Sequence, residues 1–239
     1  MSNVIKHSSQ YGKKRNNAVV VVGSILIVII VLFGLNYFIS QKNKNDTQSV
    51  GKVANAQTTM GDLDAKVRIV SYSDFQCPAC AGFAKVFPEV YENIIEKYGS
   101  SSLAFTYKHF PLTSIHPNAF LAALSAEAAG NQGKFWEMHD ILFERQNDWG
   151  NVMDAKSKIE GYARDLDLDM ARFISDRDSS EAQKLVNDSL TETKKLGLTH
   201  TPFVFMNGLE MKDLRLSAED MQSRIEEELQ RLGVSPISQ

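Results

Sequence analysis

At 239 residues the chain is long enough to bury a core of its own without staples. Its 26 basic residues stand against 29 acidic ones, and beyond the first 15 positions the basic ones are scattered, which excludes the electrostatic footprint of a nucleic-acid binder. Two cysteines are too few for a disulfide-dense scaffold, and a single C-x-x-C pair supplies only half the ligands of a structural zinc site.

Residues 1–17 are polar and basic and end in Lys13-Lys14-Arg15. From Ala18 to Ile39 the sequence is almost wholly apolar, and about 20 such residues suffice to cross a bilayer as a helix. A buried core helix is the alternative, but the block has no polar face. Residues 18–39 are therefore expected to form a single transmembrane anchor. The flanking charges place residues 1–17 in the cytoplasm and everything after residue 40 outside it, because Lys42 and Lys44 form a weaker cluster than Lys13-Lys14-Arg15. A cleavable signal peptide is the rival reading, with Ala54-Asn55-Ala56 as its cleavage site, yet the apolar block is too long and that site too distant. Residues 40–59, rich in Asn, Gln, Lys, Ser and Thr, read as a tether with a span of roughly 25 Å if flexible. A short strand is conceivable around Val50–Val53.

The folded domain is expected over 60–233. Val67 to Tyr72 reads as a central strand leading into Asp74-Phe75-Gln76, and a helix opens at Cys77-Pro78-Ala79-Cys80, where Pro78 suits the first helical position. Phe83, Val86, Phe87, Val90, Ile94 and Ile95 give that helix an apolar stripe, with a kink expected at Pro88 and a stop at Gly99. Leu103 to Tyr107 is a second strand, parallel to the first across a right-handed crossover. Helices follow over Ala119–Ala129, around Phe135–Phe143, over Ile159–Leu166 and around Ala182–Leu190, a helical insertion of about 115–197. Phe203 to Met206 is a strand, Asn207-Gly208 is the strongest short hairpin signal, and Leu209 to Leu214 is expected to pair back. Ser217-Ala218-Glu219-Asp220 resembles a capping box for a terminal helix that ends at Gly233.

The chemistry concentrates at Cys77 and Cys80. A thiolate is the nucleophile in disulfide exchange, and a helix N-terminus favours one at Cys77. Cys80, one turn on, is the natural resolving thiol. Two other readings compete: a plain structural disulfide, which would be a poor staple across so short a loop, and half of a zinc or copper site completed by histidines, although His109, His116, His139 and His200 show no ligand spacing.

The strand running into Ser73-Asp74-Phe75-Gln76-Cys77-Pro78-Ala79-Cys80, Phe110-Pro111-Leu112, Phe135-Trp136-Glu137-Met138-His139, Thr201-Pro202-Phe203 and Asn207-Gly208 occur in one order. Over about 58–233 the chain thereby resembles the DsbA-like branch of the thioredoxin-fold thiol–disulfide oxidoreductases. The resemblance implies an α/β thioredoxin-like fold with an inserted all-helical domain that caps the active site. It implies a cis Thr201-Pro202 bond facing the cysteines, with Thr201 and Pro202 holding an extended substrate segment. It also implies an extracytoplasmic enzyme that introduces disulfides into reduced secreted or surface proteins, with a quinone-linked membrane thiol oxidase as partner and no cofactor or metal. A disulfide reductase or isomerase of the same fold, or a redox-inactive peptide-binding module, is the alternative.

This sequence departs from the family pattern in several places. Many members carry a glutamate six residues before the first cysteine as a proton relay, and here that position is Ser71; Asp74 is the nearest carboxylate. His200 replaces a small residue and reads first as a partly exposed loop histidine; if near Cys77 and protonated, it would instead support the thiolate. Pro78-Ala79 lacks the histidine of the strongest oxidants, so a milder couple is expected.

Overall fold

A computed structural model describes residues 56–237, together with Val22, Ile30, Val31 and Gly34, which are helical and exposed. The expected anchor over 18–39, the greater part of the tether and the strand near Val50–Val53 otherwise lie outside the described residues. Among the described residues no helix is long and apolar enough to cross a membrane. The chain divides into two compact units, Met1–Ser49 and Val50–Gln239.

In the second unit five strands form one sheet: β1 (Thr59–Gly61), β2 (Val67–Ser73), β3 (Leu103–His109), β4 (Phe203–Met206) and β5 (Leu209–Glu210), in the order β1-β3-β2-β4-β5. β2 lies at the centre. It pairs parallel with β3, from Val67 opposite Leu103 to Ser73 opposite His109, and antiparallel with β4. Every residue of β2 except Arg68 is buried, the pattern of a strand covered on both faces. The crossover from β2 to β3 is α1 (Pro78–Tyr98), which buries Phe83, Phe87, Val90, Ile94 and Tyr98 at helical spacing. The helix continues through Pro88, which sits on its exposed side.

Between β3 and β4 run α2 (Ala119–Gly130), α3 (Phe135–Glu144), α4 (Gln146–Trp149), α5 (Ala155–Asp165), α6 (Met170–Arg177) and α7 (Ser180–Leu196). They are continuous with the sheet's core, since Phe135, Met138, Leu142, Ile159 and Phe173 belong to the same buried cluster as Val67, Ile69, Phe83 and Phe105. α7 starts on a Ser179 cap and stops at Gly197 in the left-handed region, φ 68°. The final helix, α8 (Ala218–Arg231), opens where the Ser217 side chain accepts from the Asp220 N–H, as the capping pattern predicts.

Three details differ from the sequence reading. The sheet gains an edge strand, β1, which pairs antiparallel with β3 just ahead of the expected start at Met60. β5 spans two residues instead of reaching Leu214, because the Arg224 guanidinium takes the carbonyls of Lys212 and Asp213 and turns the chain away. α4 and α6 are additional. The Asn207-Gly208 turn has both φ angles positive, 50° and 82°, as a two-residue hairpin loop requires.

Candidate active site

Cys77 occupies the N-cap of α1 in extended conformation and its side chain accepts no capping hydrogen bond, so the first N–H groups of the helix remain available to a charge on its sulfur. Its thiol donates to the Thr201 carbonyl at 3.5 Å. The Cys77 thiol is lowered from its ordinary value to about 5. The hydrogen bond from Cys80 is the largest cause, Thr201 and the N–H groups of Cys80 and Ala79 add to it, and burial opposes it. At neutral pH the thiolate is therefore the favoured form.

Cys80 behaves in the opposite way. It is fully buried, and burial, followed by its contact with Cys77, holds its thiol well above the ordinary range. Only the Asp74 N–H, at 3.5 Å, and Ser73 work in the other direction. Two thiols three residues apart, both buried, thus have unlike roles: Cys77 is held toward the thiolate and Cys80 retains its proton.

The Thr201-Pro202 bond is cis, as the resemblance implies, and lies beside Cys77. Thr201 also contributes something that the sequence did not suggest. Its Oγ1 is buried and has no hydrogen-bond partner, while its side chain lowers the Cys77 thiol. The hydroxyl is thus placed to donate once Cys77 is a thiolate. An open groove of about 350 Å³ continues from here, lined by Ala79, His200, Pro202, Phe203, Met211 and Leu214 among others. Beyond the two residues of β5 the Met211 N–H still donates to the Val204 carbonyl, and Phe203 pairs with Tyr72 of β2, so β4 is held on both sides where it approaches this groove.

The three candidate tuning residues take different places, and His200 matches its plainer reading as an exposed loop histidine. His200 is exposed, its ring 4.9 Å from that of Phe203, and it is not among the groups that lower Cys77. Asp74 is buried, but its carboxylate is fully engaged: Oδ1 accepts from the Gln76 N–H at 2.7 Å, and Oδ2 contacts the Leu112 N–H and His116 Nδ1, each at 2.8 Å. It braces the Phe110–His116 turn against the active-site loop. Ser71 is buried and its hydroxyl pairs with that of Ser73 at 3.2 Å.

The helical segment grips the loop by side chains that carry no motif. Gln146 donates to the carbonyls of Phe75 and Cys77 at 2.8 and 3.1 Å, and Gln76 accepts from the Asn118 N–H at 2.9 Å. Asn118 in turn donates to the carbonyls of Trp149, Gly150 and Val152. These amides fix the start of α1 and hence the position of Cys77.

The family model described as Thioredoxin matches residues 54–227. Among solved structures the chain is similar to BdbD from Bacillus subtilis, with a TM-score of 0.62 and 22% identity over 73% of this chain and 93% of that one. It is also similar to alpha-DsbA1 from Wolbachia pipientis, with a TM-score of 0.63 and 19% identity over 73% and 91%. A third is MdbA, a thiol-disulfide oxidoreductase from Corynebacterium diphtheriae, with a TM-score of 0.55 and 19% identity over 74% and 96%. At these identities the likeness is one of fold. A curated relative, the Na(+)/H(+) antiporter NhaA 1 of Salinispora arenicola, is 36% identical over 148 residues, 62% of this chain and 21% of that protein. The NhaA 1 of Mycolicibacterium vanbaalenii is 35% identical over 156 residues, 64% and 23%. The chain spans about a fifth of the length of these curated relatives. Since the family match takes in all five strands and most of α8, the chain belongs to the thioredoxin family and has the DsbA-type form of its fold.

Proposed function

We propose that this chain is a membrane-tethered thiol–disulfide oxidoreductase whose domain lies outside the cytoplasm and introduces disulfides into secreted or surface proteins. The observation that carries this reading is the opposite tuning of Cys77 and Cys80 beside the Thr201 carbonyl. In the oxidising direction a substrate thiolate attacks Cys77 Sγ, the Cys77–Cys80 bond breaks, and Cys80 leaves with the electron pair. A second substrate thiolate then attacks the mixed disulfide, and Cys77 departs as a thiolate that its surroundings favour. Stabilising that thiolate stabilises the reduced protein, which makes the disulfide the better oxidant.

The extended segment around the substrate cysteine lies along Thr201 and Pro202, in the groove that opens beside Cys77. The flanking charges and apolar run over 13–39 support an anchor with the N-terminus in the cytoplasm. A quinone-linked membrane thiol oxidase would then restore the disulfide. Sodium–proton exchange, named for the curated relatives, is not carried over, because the match takes in about a fifth of each.

The reduction potential of the Cys77/Cys80 pair, measured together with its redox state in cells, tests the direction. A pair that is oxidised in cells, with a potential well above thioredoxin's value of about -270 mV, is expected. A pair held reduced at that potential would make the protein a reductase or isomerase. Cys77→Ser is expected to abolish exchange, whereas a redox-inactive peptide-binding module would keep its function. Cys80→Ser is expected to accumulate substrates disulfide-linked to Cys77, visible on non-reducing gels.

A further inference from the structure

Exchange makes a demand on Cys80 that its immediate neighbours do not meet. When the Cys77–Cys80 bond opens, Cys80 departs with the electron pair and has to gain a proton. When the bond closes, the Cys80 thiol has to lose that proton before its sulfur can attack. Cys80 is fully buried, and its thiol is held well above the ordinary range, so a bare thiolate there is costly. Both Asp74 oxygens are already engaged, the Ser71 and Ser73 hydroxyls bond to each other, and the Tyr107 hydroxyl donates to the Ser73 carbonyl.

On the other side of the thiol, a cavity of about 100 Å³ is lined by Cys80, Ser73 and Tyr107 and also by His139, Asp140 and Glu92. Of the residues that line it, Cys80 is fully buried and the Asp140 side chain is 61% exposed. Most of its lining is apolar, Phe83, Phe87, Phe105, Trp136 and Phe143 included, so the polar edge made by Ser73, Tyr107, His139 and Asp140 is where water would find partners.

His139 is buried in this wall among the rings of Phe75, Trp136 and Phe143, with centroids 5.0 to 5.7 Å away. Its Nδ1 lies 2.8 Å from Asp140 Oδ1. A carboxylate only accepts, so Nδ1 donates and Nε2 is left as the basic nitrogen. Among the described residues no protein hydrogen bond engages Nε2.

We propose that His139, oriented by Asp140, is the proton-relay residue for Cys80, passing its proton through water in this cavity as the Cys77–Cys80 bond opens and closes. The proposal rests on the oxidoreductase reading above. On closure of a mixed disulfide the Cys80 proton passes through water to His139 Nε2, and Cys80 Sγ bonds to Cys77 Sγ. The Cys77–substrate bond breaks, the substrate leaves as a thiolate with the electron pair, and His139 returns its proton to solvent through Asp140. The protein dithiol is oxidised by two electrons and the substrate disulfide is reduced by the same two; the opposite direction reverses each transfer. Burial lowers the His139 pKa from its ordinary value and Asp140 opposes this, which keeps Nε2 free to accept at neutral pH. The other titratable groups facing it are Cys80, Tyr91 and Glu92 of α1 and Tyr107 and His109 of β3.

The test reacts the reduced full chain with oxidised glutathione, quenches in acid, and follows by mass the Cys77–glutathione disulfide as it forms and closes between pH 4.5 and 9. His139→Phe preserves the aromatic packing and is expected to slow closure about 10- to 100-fold at pH 7, with formation unchanged and the acid-side break in the closure profile lost. Asp140→Asn, at an exposed position that leaves the fold intact, is expected to move that break to lower pH. Closure profiles for both variants that coincide with the unsubstituted chain would overturn the relay. Should His139→Phe fail to fold, the position of the Asp140→Asn break decides alone. An unsubstituted chain that forms no mixed disulfide would overturn the oxidoreductase reading itself, and the relay with it.

Discussion

Thr201 concentrates two functions in one residue, because its carbonyl receives the Cys77 thiol while its buried hydroxyl waits without a partner. A hydrogen bond to a charged group contributes about 1.5–3 kcal/mol, and one pKa unit is about 1.4 kcal/mol. Thr201→Val, which keeps the shape and removes the hydroxyl, is therefore expected to raise the Cys77 pKa by about one to two units. Thiolate absorbance at 240 nm against pH measures it, and an unmoved titration would assign the low value to Cys80 and the helix N–H groups alone. The family resemblance marked Thr201 and Pro202, which the residues alone would have placed only at the start of a strand. It directed attention to His200 because a histidine beside a cysteine is a familiar charge partner, and only the fold shows that ring turned onto Phe203.

At the level of elements, what the sequence disclosed depended on whether the signal was local. β2, α1, β3, the β4–β5 turn and α8 carry their own periodicity, caps or turn residues, and each lies where those signals place it. α6 escaped because its inward face is not apolar: Arg177 is buried, held by Glu160 and Asp178, and Phe173 is the single large apolar side chain that the helix buries. The amides that clamp the active-site loop escaped for another reason, since Gln146, Asn118 and Gln76 meet partners 31 to 75 positions away and share no motif. β1 is three residues long, and only tertiary pairing reveals it. Gly61 marks it, with φ +84°, and a methyl there would meet the Leu103 carbonyl at 2.5 Å. Gly61→Ala is accordingly expected to cost about 1–3 kcal/mol, read as a lower urea midpoint with an unchanged slope.

For the whole molecule, the two thiols link stability to pH and to redox state. The Cys77 pKa is depressed on folding, so its contribution is present above the unfolded value near 9 and is lost as pH falls through about 5. The Cys80 pKa is raised, so its contribution is present below the unfolded value and fades only above it. The reduced form is thus expected to gain melting temperature relative to the oxidised form between pH 5 and 8, by roughly several degrees, as measured by paired thermal scans. A gap that stays constant across that range would contradict a depressed Cys77. The sheet carries a further consequence. β1 has three residues and β5 two, so the flanks of the sheet offer a neighbouring chain little to pair with. A protein that meets unfolded polypeptides risks joining them in aggregates through such flanks. Here the short edges leave the groove beside the cis Thr201-Pro202 bond, next to Cys77, as the place where the proposed exchange would bring an extended chain.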